Sequence, residues 1–304
     1  MNDPGLGKAW LESLEHQRRL SPRTLDNYGR ALDVLLKLKD HTSLRDLETQ
    51  QVRHFVARLH AAGLSGRTLA LTLSAWRGLY GWLARQHGYR ANPVQGVRAP
   101  KSPRRLPKAL SVEQVGQLLE APAARGSDSR PRSAEEARDL AMFELLYSSG
   151  LRLAELVALD AEDGRLDLKE GEVTVTGKGR KTRTVPVGAR ARDALRDWLK
   201  ERAQLATPGE KALFVGARGA RIAPGTVQTR LRAWARRQGL GAAVHPHMLR
   251  HSFASHVLQS SQDLRAVQEM LGHASIATTQ VYTHLDFQAL AKVYDAAHPR
   301  ARKK

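Results

Sequence analysis

The stretch HPHMLRHSFASH, residues 245 to 256, concentrates polar side chains that could bind an ion. On a helix, His247 would lie beside His251, four residues on, and beside Arg250, three residues on. Two neighbouring imidazoles suggest a metal site, whereas an imidazole beside a guanidinium suggests a phosphate site. Residue 248 is Met, so the HExxH pattern of zinc proteases is absent and an anion site is the favoured interpretation. A buried, hydrogen-bonded histidine cluster is the structural alternative.

Three further stretches, far apart in the sequence, carry charged or reactive side chains. Arg152 and Glu155 lie in SSGLRLAEL, Lys178 lies in the glycine-rich GKGRK, and His273 and Tyr282 lie in LGHASIATTQVYTHL. Taken singly, each has an ordinary explanation: a surface ion pair, a turn lysine and a core tyrosine. Leucines surround the first pair, so we expect the guanidinium of Arg152 to emerge from a well-packed helix start.

In combination, these stretches resemble the signature boxes of the tyrosine recombinase family, the phage integrase-like enzymes. SSGLRLAEL, GKGRKTRTVPV, HPHMLRHSFASH and LGHASIATTQVYTHLD follow the family's order and spacing. The final YDAAHPRA and the N-terminal helices further resemble the XerC subtype of the bacterial Xer site-specific recombinases. Two departures are Ala154, where a serine is usual, and a longer insertion at 121–133; neither touches the chemistry.

The resemblance implies catalytic roles for six residues, with Glu155 as a supporting carboxylate. The six are Arg152, Lys178, His247, Arg250, His273 and Tyr282. A tyrosine nucleophile keeps the cut phosphate as an ester, so the strand can be rejoined without ATP. Two guanidiniums can grip the non-bridging oxygens through forked hydrogen bonds, and a lysine on a hairpin tip can protonate the leaving 5′-oxygen. No metal or other cofactor is expected.

Composition agrees with a nucleic-acid substrate. The chain of 304 residues has 49 Lys and Arg against 30 Asp and Glu, a formal charge of +19, and its basic excess extends over both halves. Such a field attracts polyanions. The absence of cysteine excludes disulfides, thiolate metal sites and cysteine nucleophiles. There is no leader-like segment at the N-terminus and no apolar run of about 18 residues, so a cytoplasmic protein is expected.

The elements that must position these residues are predicted to be mainly α-helical. Residues 6–87 show helical spacing, and one apolar stripe needs partners on the preceding helices. The stripe comprises Leu69, Leu73, Trp76, Leu79, Tyr80 and Leu83, and the partners are Trp10, Leu14, Leu32 and Leu36. With the resemblance, this predicts an N-terminal helical core-binding (SAM-like) domain over 1–89, a basic proline-rich linker over 90–110 and a catalytic domain over 111–304.

Within the catalytic domain, Ser111 and Gln114 form a predicted capping box, and a helix resumes at Ala134 after the flexible insertion. The segment GEVTVTGKGRKTRTVPVG alternates apolar and polar residues around GKGRK, which predicts a β-hairpin with a basic tip. The remainder is predicted to be mostly helical, over 189–203, 224–238, 246–260, 263–271 and 286–296. The predicted fold is therefore mainly α, with a small β-hairpin sheet in the catalytic domain.

The terminal helix has an apolar face that includes Phe287, Leu290, Val293 and Tyr294. Packing within the same chain is one expectation; the resemblance implies docking into a neighbouring protomer, a contact that closes into a ring on DNA. The implied partners are double-stranded DNA, a sister recombinase of the XerD type in a cyclic heterotetramer, and a septal DNA translocase as regulator. The implied task is resolution of chromosome dimers at the terminus (dif-type) site.

Other classes of protein make different predictions. A metal-dependent nuclease would be inhibited by a chelator, and a purely regulatory DNA-binding protein would bind without cutting. A type IB topoisomerase would relax supercoils without a partner site. Within the family, the integrase of a mobile element would act on that element's ends.

Overall fold

The structure is a computed structural model, and the chain divides into two compact units, Met1–Arg105 and Leu106–Lys304. The residues that it describes are 2–18, 20–101, 109–120, 133–177, 181–240, 244–272 and 292–301. Among these residues, none of the helices is both long and apolar enough to cross a membrane.

The N-terminal unit is a helical bundle. Its helices, in the part of the unit that is described, are α1 (Asp3–His16), α2 (Pro22–Leu38), α3 (Thr49–Ala61) and α4 (Gly66–His87). Small polar residues begin three of them: Asn2, Ser21 and Ser65 each accept a hydrogen bond from a backbone N–H of the first turn. These side chains satisfy donors that a helix start otherwise leaves unpaired. Gly88, with φ of 65°, ends α4 in the left-handed conformation.

The apolar stripe of α4 forms the centre of this bundle, as its spacing predicts. All six stripe residues are buried, Trp10, Leu14 and Leu32 are buried against them, and Leu36 is half-buried at the edge. The indole Nε1 of Trp76 donates to the carbonyl of Ala31 at 2.7 Å, so the ring is fixed by a hydrogen bond as well as by packing. The predicted partners are therefore confirmed.

The C-terminal unit is built mostly of helices, with one small sheet. Its described helices are α5 (Val112–Leu119), α6 (Ala134–Ser148), α7 (Leu153–Val157), α8 (Ala189–Glu201), a 3₁₀ helix (Arg202–Gln204), α9 (Pro224–Arg237), α10 (Pro246–Ser261) and α11 (Leu264–Leu271). The predicted capping box is present, because Ser111 Oγ accepts from the Gln114 N–H and Gln114 Oε1 accepts from the Ser111 N–H. Helix α6 begins at Ala134, as predicted.

The sheet confirms the predicted hairpin and extends it by one strand. Strands β2 (Glu172–Thr176) and β3 (Thr182–Pro186) pair antiparallel, with Val175 opposite Arg183. A two-residue strand, β1 (Leu166–Asp167), pairs with the outer edge of β2. So short a strand carries no periodicity of its own, which is why the sequence predicts a hairpin alone.

Helix α6 is the central helix of the C-terminal unit, and it packs against α8 and α10. Every residue from Ala137 to Ser148 is buried, so charged side chains within this stretch need partners. Asp139 accepts from Arg138 Nε at 3.1 Å and from Arg230 Nε at 2.5 Å. Glu144 accepts two hydrogen bonds from Arg300. The last pair ties the C-terminal segment to the central helix.

Residues 292–301 pack within the C-terminal unit of their own chain. Tyr294 is buried, and its hydroxyl lies 2.7 Å from Ser148 Oγ, while Ala301 accepts from the Ala189 N–H at 2.9 Å. Val293 packs against the same core. The apolar face predicted for the terminal helix is thus covered in cis at these two positions; Phe287 and Leu290 lie outside the described residues.

His298 makes stability depend on pH. Its buried ring lies among Tyr147, Phe253 and Tyr294, with centroid distances of 4.7 to 5.6 Å. Burial lowers the pKa of His298 from 6.5 to about 3, so the folded ring stays neutral while the unfolded chain binds a proton below pH 6.5. The free energy of unfolding should therefore fall with acidification below this value, at a rate approaching about 1.4 kcal/mol per pH unit from this group.

Urea unfolding of the wild type and of His298→Phe between pH 7.5 and 5 tests this expectation. The variant lacks the titrating group, so its stability relative to the wild type should rise steadily as the pH is lowered. Parallel curves for the two proteins would contradict the assignment.

Candidate active site

Arg152 and Glu155 are held together at the start of helix α7. Arg152 is the N-cap residue, and its backbone N–H donates to Glu155 Oε2 at 2.8 Å. The Arg152 Nη1 donates to Glu155 Oε1 at 2.8 Å, so the carboxylate holds both the backbone and the guanidinium. Glu155 is buried, whereas the Arg152 side chain is 40% exposed. The arrangement fixes one end of the guanidinium and leaves part of it open to solvent.

Arg183, on strand β3, is the second partner of Glu155. Its Nη1 and Nη2 donate to the two carboxylate oxygens at 2.7 and 2.8 Å, a forked ion pair that is buried on both sides. Burial alone would raise the pKa of the Glu155 carboxyl, but the hydrogen bonds from Arg183 and Arg152 outweigh it and hold the pKa below its ordinary value. Glu155 is therefore a carboxylate shared by two arginines.

Arg250, on helix α10, is buried and is oriented by two backbone carbonyls. Its Nη1 donates to Gly150 O and its Nη2 to Leu271 O, both at 2.6 Å. Burial, together with the nearby positive charges of Arg152 and Arg183, lowers the pKa of Arg250 to about 10. The group remains a cation at neutral pH, but one whose charge is poorly compensated, which favours binding of an anion.

Three arginines meet at the C-terminal end of helix α11. Arg183 Nε donates to Met270 O at 2.8 Å, Arg250 Nη2 to Leu271 O at 2.6 Å, and Arg152 Nη2 to Gly272 O at 3.3 Å. The last carbonyls of a helix have no partner within the helix and carry partial negative charge, so cations are stabilised there. One helix end thus gathers guanidiniums from α7, β3 and α10.

His247 lies one turn before Arg250 on α10 and is exposed. Its ring stacks on that of His245 at a centroid distance of 6.5 Å, and His245 Nδ1 accepts from the Met248 N–H at the helix start. The ring of His247 is therefore supported from one side and open to solvent. His256, in the same stretch, is buried, and its Nδ1 lies 2.9 Å from the Tyr147 hydroxyl.

Lys178, His273 and Tyr282 lie outside the described residues, but the chain next to two of them is described. Gly177 precedes Lys178, and a Cβ atom there would lie 3.5 Å from Glu155 Oε1 and 3.7 Å from Arg152 Nη1. Gly272 precedes His273, and its carbonyl accepts from Arg152. The chain therefore leaves this arginine cluster at the positions just before Lys178 and His273.

The expected site residues are thus brought together in part. Arg152, Glu155 and Arg250 share one location, and His247 is carried on the helix of Arg250. Arg183 is a further member of the cluster that the sequence analysis did not include. The available signal was its position in the strand: Arg183 lies two residues before Val185, so both side chains fall on the inward face of β3, where a charge requires a buried partner.

Gly150 is required by both its conformation and its surroundings. Its φ is +57°, and a Cβ atom would lie 2.4 Å from Phe253 Cδ1. Gly150→Ala should therefore lower the free energy of unfolding by about 2 kcal/mol or more, through left-handed strain and overpacking. Gly164→Ala is the matched control, because Gly164 has a φ of +72° with no atom within 4 Å of the added Cβ among the described residues. Equal losses in urea unfolding would contradict the steric argument.

The cluster can bind and polarise a phosphodiester. Two guanidiniums, one partly exposed and one poorly compensated, can share the non-bridging oxygens of one phosphate, where charge accumulates in the transition state. Within the described ranges, no three His, Asp or Glu side chains are grouped so that they could hold a metal ion.

Comparison with known proteins identifies the family. The sequence model of the phage integrase family matches residues 108–289, and that of the phage integrase N-terminal SAM-like domain matches residues 8–87. Together they cover most of both compact units.

Curated relatives and solved structures agree. The chain is 54% identical to tyrosine recombinase XerC 1 of Ralstonia nicotianae, with 99% of this chain and 95% of the relative aligned. It is also 54% identical to tyrosine recombinase XerC of Pseudomonas aeruginosa, over 97% of this chain and 95% of the relative. The crystal structure of the XerH site-specific recombinase, in a post-cleavage complex with palindromic difH substrate, shares the fold, with a TM-score of 0.68, 24% identity and coverage of 95% of this chain and 84% of that one. The chain belongs to the phage integrase family and is a site-specific tyrosine recombinase of the XerC type, an enzyme that breaks and rejoins DNA.

Proposed function

We propose that this recombinase resolves chromosome dimers at a dif-type terminus site during cell division. The identity of 54% to XerC proteins over nearly the whole chain supports this task over integration of a mobile element. The observation that carries the chemistry is the convergence of Arg152 and Arg250 on the end of α11, where one phosphate could meet both. A chromosomal substrate would place the enzyme in the bacterial cytoplasm.

In the proposed reaction, Arg152 and Arg250 bind the non-bridging oxygens of the scissile phosphate. Glu155 orients Arg152, and the carbonyls of Gly150 and Leu271 orient Arg250. Because protein groups hold both guanidiniums in place, little reorganisation is needed when charge develops on the phosphate. His247 and His273 add hydrogen-bond donors to the same oxygens, by their match to the family's boxes.

Tyr282 is the proposed nucleophile. A free tyrosine has a pKa of about 10, so its proton must leave as the phenolic oxygen bonds to phosphorus, and over the whole step this loss balances the proton that the leaving 5′-oxygen gains. The product is a 3′-phosphotyrosyl ester and a free 5′-hydroxyl, with Lys178 as the acid that protonates the leaving oxygen. Attack of a 5′-hydroxyl from another strand on the ester reverses the step and exchanges strands. These two reaction steps, cleavage and strand exchange, require neither metal nor ATP.

The domain roles follow from the same assignment. Residues 1–89 would bind one face of the DNA core site, 90–110 would follow the phosphates as a basic linker, and 111–304 would carry the chemistry. The excess of basic residues in both halves of the sequence supports contacts to DNA from both domains.

Recombination between two sites requires four protomers, so we propose a cyclic heterotetramer with a sister recombinase of the XerD type. A septal DNA translocase is the proposed regulator. The C-terminal segment, which packs in cis in the single chain, carries an apolar face that could be exchanged between protomers.

A nicked duplex tests the proposed function, because the fragment beyond the nick diffuses away and the covalent product accumulates. Purified enzyme is incubated in chelator with the host terminus site, with a scrambled site or with the ends of a resident mobile element. The XerD-type partner is present in one set and absent in another.

The expected result is a covalent protein–DNA product on the terminus site alone, unchanged by the chelator. Product on the element's ends alone would identify an integrase, and chelator-sensitive cleavage with free ends would identify a nuclease. In a parallel assay on a supercoiled plasmid without any terminus site, relaxation would identify a topoisomerase.

A further inference from the structure

Arg183 is a buried cation that joins three elements of the site. It lies on β3, its two terminal nitrogens donate to Glu155 on α7, and its Nε donates to Met270 O on α11. Its side chain is only 8% exposed. Gly272 packs closely against it, because a Cβ atom on Gly272 would lie 3.0 Å from Arg183 Cδ.

We propose that Arg183 is a positioning residue for DNA cleavage, which acts on Arg152 through their shared carboxylate. The inference rests on the proposed function, because it assumes that Arg152 binds the scissile phosphate. Arg183 is proposed to act through Glu155 because each of its three nitrogens donates to a protein acceptor, two of them to Glu155 and one to Met270 O.

The geometry explains how the effect would be transmitted. Without Arg183, the Glu155 carboxylate would be held only by the backbone N–H and the Nη1 of Arg152, so it would be freer to rotate about its side-chain torsions and to shift the guanidinium with it. The fork from Arg183 fixes the plane of the Glu155 carboxylate, and the bond to Met270 fixes Arg183 in turn. Arg152 is thereby oriented by a chain of contacts that begins on the helix end beside His273.

Lysine cannot replace this function. Its ammonium would keep the positive charge that Glu155 needs, but it is a compact charge that cannot span both carboxylate oxygens and the Met270 carbonyl. Arg183→Lys therefore removes the geometry and retains the charge. Arg196→Lys is a matched control, because Arg196 also bonds one carboxylate, Asp193, and one carbonyl, that of Leu168, but its side chain is 48% exposed on α8.

The test measures single-turnover cleavage of the nicked terminus-site duplex, DNA binding by gel shift, and the urea midpoint of unfolding. Arg183→Lys should cleave at least tenfold more slowly than the wild type and bind DNA within twofold of it. Arg196→Lys should match the wild type in both assays. In a Glu155→Gln background, adding Arg183→Lys should lower the cleavage rate by less than a further twofold. The carboxylate through which Arg183 acts has already been replaced by a neutral amide in this background.

The outcomes separate the inference from the proposed function. If the wild type gives no covalent product, the proposed function fails and the positioning role fails with it. If the wild type cleaves but Arg183→Lys cleaves within twofold of it, the inference alone is overturned. A full tenfold loss in the Glu155→Gln background would also overturn it, because Arg183 would then act by another route.

A second pair of variants applies if the urea unfolding curve shows that Arg183→Lys is unfolded under assay conditions. Arg183→Met combined with Glu155→Met leaves neither buried charge unpaired. This double variant should cleave within twofold of Glu155→Met alone. A further tenfold loss in the double variant would contradict a role exerted through Glu155.

Discussion

Tyr282→Phe is expected to abolish the covalent protein–DNA product completely. Phenylalanine has no oxygen with which to form the phosphotyrosyl ester, and no cysteine is available in the chain as a substitute nucleophile. The measurement is the shifted protein–DNA band on a denaturing gel after incubation with the nicked duplex.

DNA binding provides the control for this variant. DNA affinity depends mainly on the many basic groups of the chain, and replacing Tyr282 by phenylalanine removes none of these charges, so the dissociation constant in a gel shift should stay within about twofold of the wild-type value. Persistent covalent product in Tyr282→Phe would show that another side chain attacks the phosphate, and the assignment of the nucleophile would be wrong.

Arg152→Lys and Arg250→Lys are expected to slow single-turnover cleavage by about 100-fold or more each. Lysine keeps the positive charge. It lacks the planar, forked donors with which a guanidinium binds a protein acceptor and a phosphate oxygen at the same time. Arg250 already uses two of its donors on Gly150 and Leu271, so a lysine there would lose either its orientation or the phosphate.

Replacing arginine by lysine distinguishes the effect of the guanidinium's geometry from the effect of its positive charge. Both lysine variants should bind the DNA duplex with an affinity close to that of the wild type, since affinity depends mainly on the many basic groups along the backbone. Arg196→Lys again serves as the surface control. Near-normal cleavage rates in either variant, Arg152→Lys or Arg250→Lys, would mean that the forked hydrogen bonds of that guanidinium do not stabilise the transition state.

Local sequence patterns predict the helices and the hairpin well, because the apolar residues of the buried face recur at the period of the helix or strand. The stripe of α4 repeats at helical spacing, and the hairpin alternates between inward and outward side chains. The contact between Arg152 and Glu155 follows from their separation of three residues at a helix start. These features depend on neighbours in the chain, so the sequence suffices to predict them.

Contacts between distant segments could not be predicted in the same way. Arg183 is 28 residues from Glu155, and Arg250 is 100 residues from Gly150. The inward phase of Arg183 indicates that it needs a partner but does not identify the partner. Likewise, the sequence indicates that the apolar face near Tyr294 requires burial. Only the fold shows that the Tyr294 hydroxyl forms a hydrogen bond with Ser148 of the same chain. The places of Lys178, His273 and Tyr282 around the phosphate remain predictions.

The most direct test of the central claim is a structure of the enzyme trapped on a nicked duplex as the covalent intermediate. We expect Tyr282 to be bonded to the 3′-phosphate, with Arg152 and Arg250 each donating to its non-bridging oxygens at about 2.7 to 3.2 Å. A complex in which the two arginines contact different phosphates, or in which another residue carries the DNA, would contradict the account.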